Sequence, residues 1–430
     1  MTARPDGNAP RPDTGHDRWS ARGNERYGQL GLVAAVQVLA MSVWFATAAV
    51  VPSLIPAWRI SGDDASWLTT AVQAGFAAGA VLSAALNLAD RLRAPVLIAT
   101  SAALAGTTTL LVPLLADGLT EALPLRFLTG FALAGVYPPG VKLIASWFPA
   151  GRGLTIAVLV SAITLGSAAP QLINGIGTLP WRGVLIVTAA LAFVSAMAAL
   201  RLREGPHLQR GARLRPAYLL EMFADRRQRL INFGYYGHMW ELYAFWTWLP
   251  TYLAASLTAW RAGTGGRVTV GVVAFAVIGV AGVAGALTGG AAARQLGSER
   301  VAMWAMIISG GCCLVSGLMF AATPWLLVPL LGVWGFAVIA DSAQFSAALA
   351  NAADARYVGT ALTAQIAIGF LITITTIRLL PSVAGGIGWR WAPSVLALGP
   401  LSGVLAMRGL LPRRAGRGTP TRPHGAQPGR

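Results

Sequence analysis

Along the chain, apolar runs of about 20 residues or more alternate with short polar stretches, and a run of that length crosses ~30 Å of hydrocarbon as a helix. Six such runs come first, at roughly Gln29–Pro56, Ser66–Ala89, Pro95–Ala116, Leu123–Phe148, Leu154–Gly177 and Arg182–Leu200. Six more follow, at roughly Ile231–Ser256, Val268–Ala293, Val301–Ala322, Trp325–Ala350, Gly359–Gly385 and Trp391–Leu411. The pattern predicts an all-α integral membrane protein with twelve transmembrane helices in two pseudo-symmetric six-helix bundles, residues 29–200 and 230–411. The longest polar interval between the tails, 201–229, is expected to be a cytoplasmic central loop. Residues 1–28 and 412–430, rich in Pro, Gly and Arg, are expected to be disordered tails. The first run is longer than the apolar region of a signal peptide and continues into a polar turn, so it is expected to stay in the membrane.

Composition strengthens this picture: 55% hydrophobic and 11% charged residues lie far from the soluble average. The net charge of +17 raises nucleic acid as a partner, but the basic residues sit at span ends and in the tails rather than along one face. Topology accounts for them better. With both termini on one side, that side holds 25 Lys and Arg against six on the other, which places both termini in the cytoplasm of a bacterial cell, below its cytoplasmic membrane. Cys312 and Cys313 are adjacent, match no spaced metal motif, and are expected to be buried thiols. The sequence contains no GxxxxGK[ST] loop, which excludes a P-loop ATP-driven pump. No enzyme chemistry, metal or cofactor is expected, only a proton as coupling ion. The expected partners are a small-molecule substrate and the lipid bilayer, with the chain acting as a monomer.

The halves repeat at an offset of roughly 204 to 208 residues: LNLADRLR matches GAAARQLG, PAGRGLTIA matches ARYVGTALTA, and PWRG matches GWRW. Duplicated halves are how many secondary transporters are built. With RFLTGFALAG, where Arg126 precedes Gly130 by four residues, the chain resembles the major facilitator superfamily over Gln29 to Leu411. In the loop after the second span Asp90 and Arg91 stand where that family has them, while Leu86 and Arg93 replace glycines. In the second half Gly290 and Gly297 keep the frame and Arg294 replaces the acid. The resemblance implies gating roles for these loop residues and a central cavity lined by spans one, four, seven and ten.

Three of those spans carry the ionisable groups: Arg126 in span four, His238 and Glu241 in span seven, and Asp341 in span ten. A charge at mid-membrane costs ~2.5–3.5 kcal/mol on insertion scales, so these groups are expected to face the cavity or one another. His238 and Glu241, at i and i+3, share a helical face and form a candidate proton-coupling pair. The alternative is a fixed brace between spans. HMWE supplies too few ligands for zinc. Arg126 suits a carboxylate or similar small anion, or it locks span four to a neighbour. Asp341 with Gln344 makes a polar patch, Trp240 and Tyr243 are candidate cavity walls, and Lys142 is a candidate gate or anchor.

These readings combine into a secondary transporter moving a small solute, an anion favoured, by proton-coupled alternating access. The departures from nitrate porters lower that reading, because spans two and eight lack charge until their ends. A drug/proton antiporter is the runner-up: LGSAAPQLING keeps Pro170 but puts Ala169, Ile173 and Asn174 where glycines belong. A non-transporting solute sensor is the remaining alternative, and the tails carry no recognisable signalling module to support it.

Overall fold

The computed structural model describes residues 15–148, 152–177, 179–208, 215–260, 267–354 and 356–411. Ten helical stretches are long and apolar enough to span a membrane. One of them, Val358–Arg408, is two spans, because Gly388 takes φ 79° and ψ 159°, which no helix accommodates. The helix Arg226–Trp260, 35 residues long, falls short of the ten in apolar character and not in length. The described residues therefore hold twelve spans.

In order these are span one, Gly15–Met41 and Ala46–Trp58; two, Gly62–Ala85; three, Ala94–Leu115; and four, Leu119–Leu133 and Tyr137–Trp147. Spans five and six are Arg152–Ile176 and Trp181–Ala199. Span seven is Arg226–Trp260, and span eight runs from Arg267 to Leu296 through a π-helical turn, Ala276–Ala281. Span nine is Ser298–Leu318, and span ten is Pro324–Ala340 and Ser342–Ala352. Spans eleven and twelve divide at Gly388, twelve ending in Leu398–Arg408. Local chemistry sets several ends. Ser61 and Asp64 form a reciprocal capping box at the start of span two, and Gly297, with φ 84°, stops span eight where a side chain would be strained.

Two expectations need correcting. Helix begins at Gly15 rather than Gln29, so span one extends back beyond its apolar run. The central segment is not all loop: Tyr218–Ala224 is a helix, and span seven already begins at Arg226. The charged residues there hid both from a hydropathy reading. Residues 1–14 and 412–430 lie outside the described residues.

Packing repeats with the sequence. Span two packs on four, three on four and six, and one on five and six; correspondingly eight packs on ten, nine on ten and twelve, and seven on eleven and twelve. Between the bundles, two meets eleven and five meets eight. The repeat reaches single residues. Gly130 backs onto the Val72 carbonyl as Gly335 backs onto that of Val277, and Gly79 backs onto Phe131 as Gly285 backs onto Phe336. Small residues at these points let helix backbones approach closely.

Two faces bound the bundle. The segment joining the halves is fastened to one of them: Gly205 N–H donates to Ser146 Oγ at 2.8 Å, Arg203 N–H to Gln29 Oε1 at 2.9 Å, and Arg215 N–H to Thr360 Oγ1 at 3.2 Å. At the opposite face the bundles are tied to each other. Ser382 donates to Asp63 at 3.2 Å, Arg378 lies 3.6 Å over the Trp67 ring, and the backbones at Gly175 and Gly271 meet without room for a side chain.

Candidate functional site

A cavity of about 100 Å³ lies where spans one, two, four, five, seven, ten and eleven converge. This corrects the expectation of four lining spans, since two, five and eleven also contribute. Seven rings, Trp44, Phe76, Tyr137, Tyr235, Tyr243, Trp246 and Phe370, line it among aliphatic side chains. Trp44 and Phe76 centroids lie 4.8 Å apart, Phe76 and Phe370 4.6 Å, and Tyr243 and Phe370 5.1 Å, so the rings of both bundles interlock. Each such pair contributes ~0.5–1.5 kcal/mol beyond area burial. Hydroxyls of Thr164, Ser342 and Ser346 provide polar points in an otherwise apolar wall. No charged side chain is among its lining residues. Tyr137, Ile156 and Ile366 place one end toward the face carrying the central segment.

The ionisable residues stand behind this wall, each held by a different element. His238 and Asp341 meet, with Nδ1 2.9 Å from Oδ1, and both side chains are almost fully buried. The break in span ten leaves Asp341 between its two helices, directly before Ser342, while His238 lies one turn from Tyr235 and Leu242 on span seven. The pair therefore backs onto residues that line the cavity from both spans. The approach is one of proximity: neither His238 nitrogen nor Asp341 Oδ1 makes a hydrogen bond.

Glu241 does not join His238. Its carboxylate accepts from Ser309 Oγ at 2.8 Å, Cys313 Sγ at 3.2 Å and Trp334 Nε1 at 2.6 Å, so it fastens span seven to spans nine and ten. Residues three apart on a helix still point in directions ~60° apart, enough to aim His238 and Glu241 at different neighbours. Cys312 and Cys313 are both buried and free.

Arg126 is fully buried, and its Nη2 donates to the carbonyls of Val43 at 3.0 Å and Trp44 at 2.7 Å. Those carbonyls are released where span one breaks between Met41 and Ala46. Trp240 faces span twelve instead of the cavity, with Nε1 3.4 Å from the Val395 carbonyl and its side chain against Gly399. Gln344 is buried in span ten outside the cavity wall.

Of the loop residues, Lys142 pairs with Asp90 and also donates to the Ala89 carbonyl at 2.9 Å, joining span four to the turn after span two. Arg91 and Arg294 are exposed. Gly290 is half-buried, and the close contact falls on its neighbour Gly289, against Ala340.

Sequence reasoning missed Trp44, Phe76, Tyr137 and Phe370. Phe76 had a usable signal, a lone ring in AGFAAG between small residues that let a neighbouring helix come close. For Phe370 and Trp44 the surrounding residues give no such cue.

The fold and its sequence were compared with known proteins. Over 126 residues, the chain is 30% identical to the niacin transporter NiaP of Acinetobacter baylyi, a segment covering 29% of this chain and 28% of that relative. The crystal structure of a mutant of the nucleoside transporter NupG superposes with a TM-score of 0.68 at 16% identity, over 89% of this chain and 99% of that one, which speaks for the fold alone. The model of the Major Facilitator Superfamily matches residues 33–376. With that match spanning most of the multi-pass chain, the protein belongs to the major facilitator superfamily of secondary membrane transporters and is not an enzyme.

Proposed function

We propose that the chain carries a small ring-bearing solute across a bacterial cytoplasmic membrane by alternating access, with a proton passing through His238 and Asp341. The observation that carries this reading is the buried histidine–carboxylate pair directly behind the aromatic cavity. An interlocked ring wall favours a flat solute that can slide between side chains. A cavity of about 100 Å³ is smaller than the ~300–1,000 Å³ usual for ligand sites, so the bundles must separate to admit one. The pair is buried and close, and movement of Ser342 and Ile339 with the solute would change its surroundings. The structural repeat adds support. In the first bundle Gln37 ties span one to the break in span four through the Val136 carbonyl at 3.0 Å, and in the second bundle the same tie is made by two titratable groups.

The niacin and nucleoside carriers suggest probes. Purified protein in liposomes is expected to accumulate radiolabelled nicotinate or uridine when the lumen is made alkaline, and to stop when a protonophore is added. Accumulation indifferent to the protonophore would remove the proton from the mechanism. The uncharged wall also suits lipophilic drugs, and ethidium extrusion in place of uptake would favour that reading. A sensor would bind without moving anything.

The Lys and Arg distribution carries the proposed orientation, with residues 201–208, 215–225 and both termini in the cytoplasm. Alkaline phosphatase, active only outside the cytoplasm, is expected to be inactive when fused after Gly205; activity there would invert the topology.

A further inference from the structure

Arg126 has more donors than its surroundings use. Its Nη2 serves two carbonyls of span one, yet Nε and Nη1 have no hydrogen-bond partner, the residue is fully buried, and it forms no ion pair among the described residues. A guanidinium in that position carries an unbalanced charge as well as unmet donors, a combination that breaks even only beside an anion.

The neighbouring unmet groups sit around the same end of the cavity. Trp44, whose own carbonyl binds Arg126, has a buried indole N–H without a partner. Gln73 is fully buried with both amide atoms unpartnered, and it lies three residues before Phe76 of the cavity wall, one turn toward the opposite face. Gly130, one turn from Arg126 on the same helical face, packs against Val72, which brings Arg126's face of span four against the stretch of span two that holds Gln73. Thr47, three residues beyond Trp44, is buried with its hydroxyl unpartnered. Three spans thus bring buried unsatisfied groups, donors in excess, close in sequence to Trp44 and Phe76 of the ring-lined wall.

From this we infer that Arg126, with Gln73 and the Trp44 indole N–H, is a carboxylate subsite, and that the transported solute is a small aromatic acid. The ring lies among Trp44, Phe76, Tyr243 and Phe370, and the carboxylate reaches these donors when the bundles part. One carboxylate oxygen accepts from the free Nη1 group, and the Gln73 amide N–H is a donor for the other. This assignment rests on the central cavity being the transport site, and the probes below separate the two ideas.

Thermal denaturation of the full-length protein in detergent at pH 7.5 would be followed with benzoate, benzamide and propionate, since a ligand of the native state raises its melting temperature. Benzoate is expected to bind about tenfold to a hundredfold more tightly than benzamide, the span of one or two charge-assisted hydrogen bonds. In Arg126→Gln that preference should fall to about one. Gln73→Leu leaves the bonds from Arg126 to span one in place, so it reports even if Arg126→Gln folds poorly, and it should lose about threefold or more of the preference. Equal binding of benzoate and benzamide by the wild type, or an unchanged preference in both variants, overturns the subsite and leaves the ring-binding cavity standing. Propionate binding as tightly as benzoate overturns the ring-binding cavity and keeps the subsite, and no stabilisation by any of the three overturns both.

Discussion

Asp341→Asn is expected to abolish proton-driven accumulation of the transported solute while leaving exchange of internal for external solute intact. A gradient of one pH unit is worth about 1.4 kcal/mol per proton, so the internal-to-external ratio should fall from about ten toward one. The amide keeps the shape of the acid beside His238, but it cannot release a proton. His238→Gln should behave likewise, because the two side chains lie 2.9 Å apart and the proton is proposed to pass through both. Glu241→Gln provides the contrast. Its carboxylate accepts from three donors on two other spans, so the substitution turns one acceptor into a donor within a buried network. Breaking such a network costs on the order of 3–5 kcal/mol, and the loss should appear as less folded protein, reducing accumulation and exchange alike. Uphill accumulation surviving in Asp341→Asn would transfer the coupling role away from the pair.

Gly130→Val should prevent folding outright. A Cβ at this position would fall on the carbonyl of Val72, a backbone atom that cannot move aside without displacing span two. Overpacking usually costs ~1–3 kcal/mol when side chains can yield, so the upper end or more is expected here. Gly335→Val should fail in the same way against Val277, whereas Gly332→Val, three residues earlier in span ten with nothing within 4 Å of the added carbon, should fold normally. Gel filtration of the detergent-solubilised proteins distinguishes the cases, and a monodisperse peak for Gly130→Val equal to that for Gly332→Val would refute the argument.

These two predictions also mark where sequence reading succeeds. Gly130 could be singled out because its spacing from Arg126 is local, and the twelve spans could be placed because apolar length is read directly from the chain. His238 and Asp341 were each identifiable as costly intramembrane groups, yet their pairing depends on how spans seven and ten are rotated about their axes, which no periodicity reports in a helix apolar on every side. The same rotation sends Glu241 to Ser309, Cys313 and Trp334, three residues that look unremarkable in sequence. Phe370 and Trp44 were illegible for a related reason. In a soluble protein a buried ring differs from its solvated neighbours, but in a membrane span both faces are apolar, and a ring toward the cavity resembles one toward lipid.

The π-helical turn Ala276–Ala281 marks a one-residue difference between the halves. Val72 and Val277 differ by 205 in number, while Gly79 and Gly285, seven or eight residues further on, differ by 206, and span two is α-helical throughout the corresponding stretch. A π turn of this kind is an α-helix holding one inserted residue. Span eight therefore carries one residue more than span two over the matched stretch, and the π turn takes it up. The turn packs against span five across the seam and against span ten within the second half, and Gly285 and Gly289 beyond it remain seated on span ten.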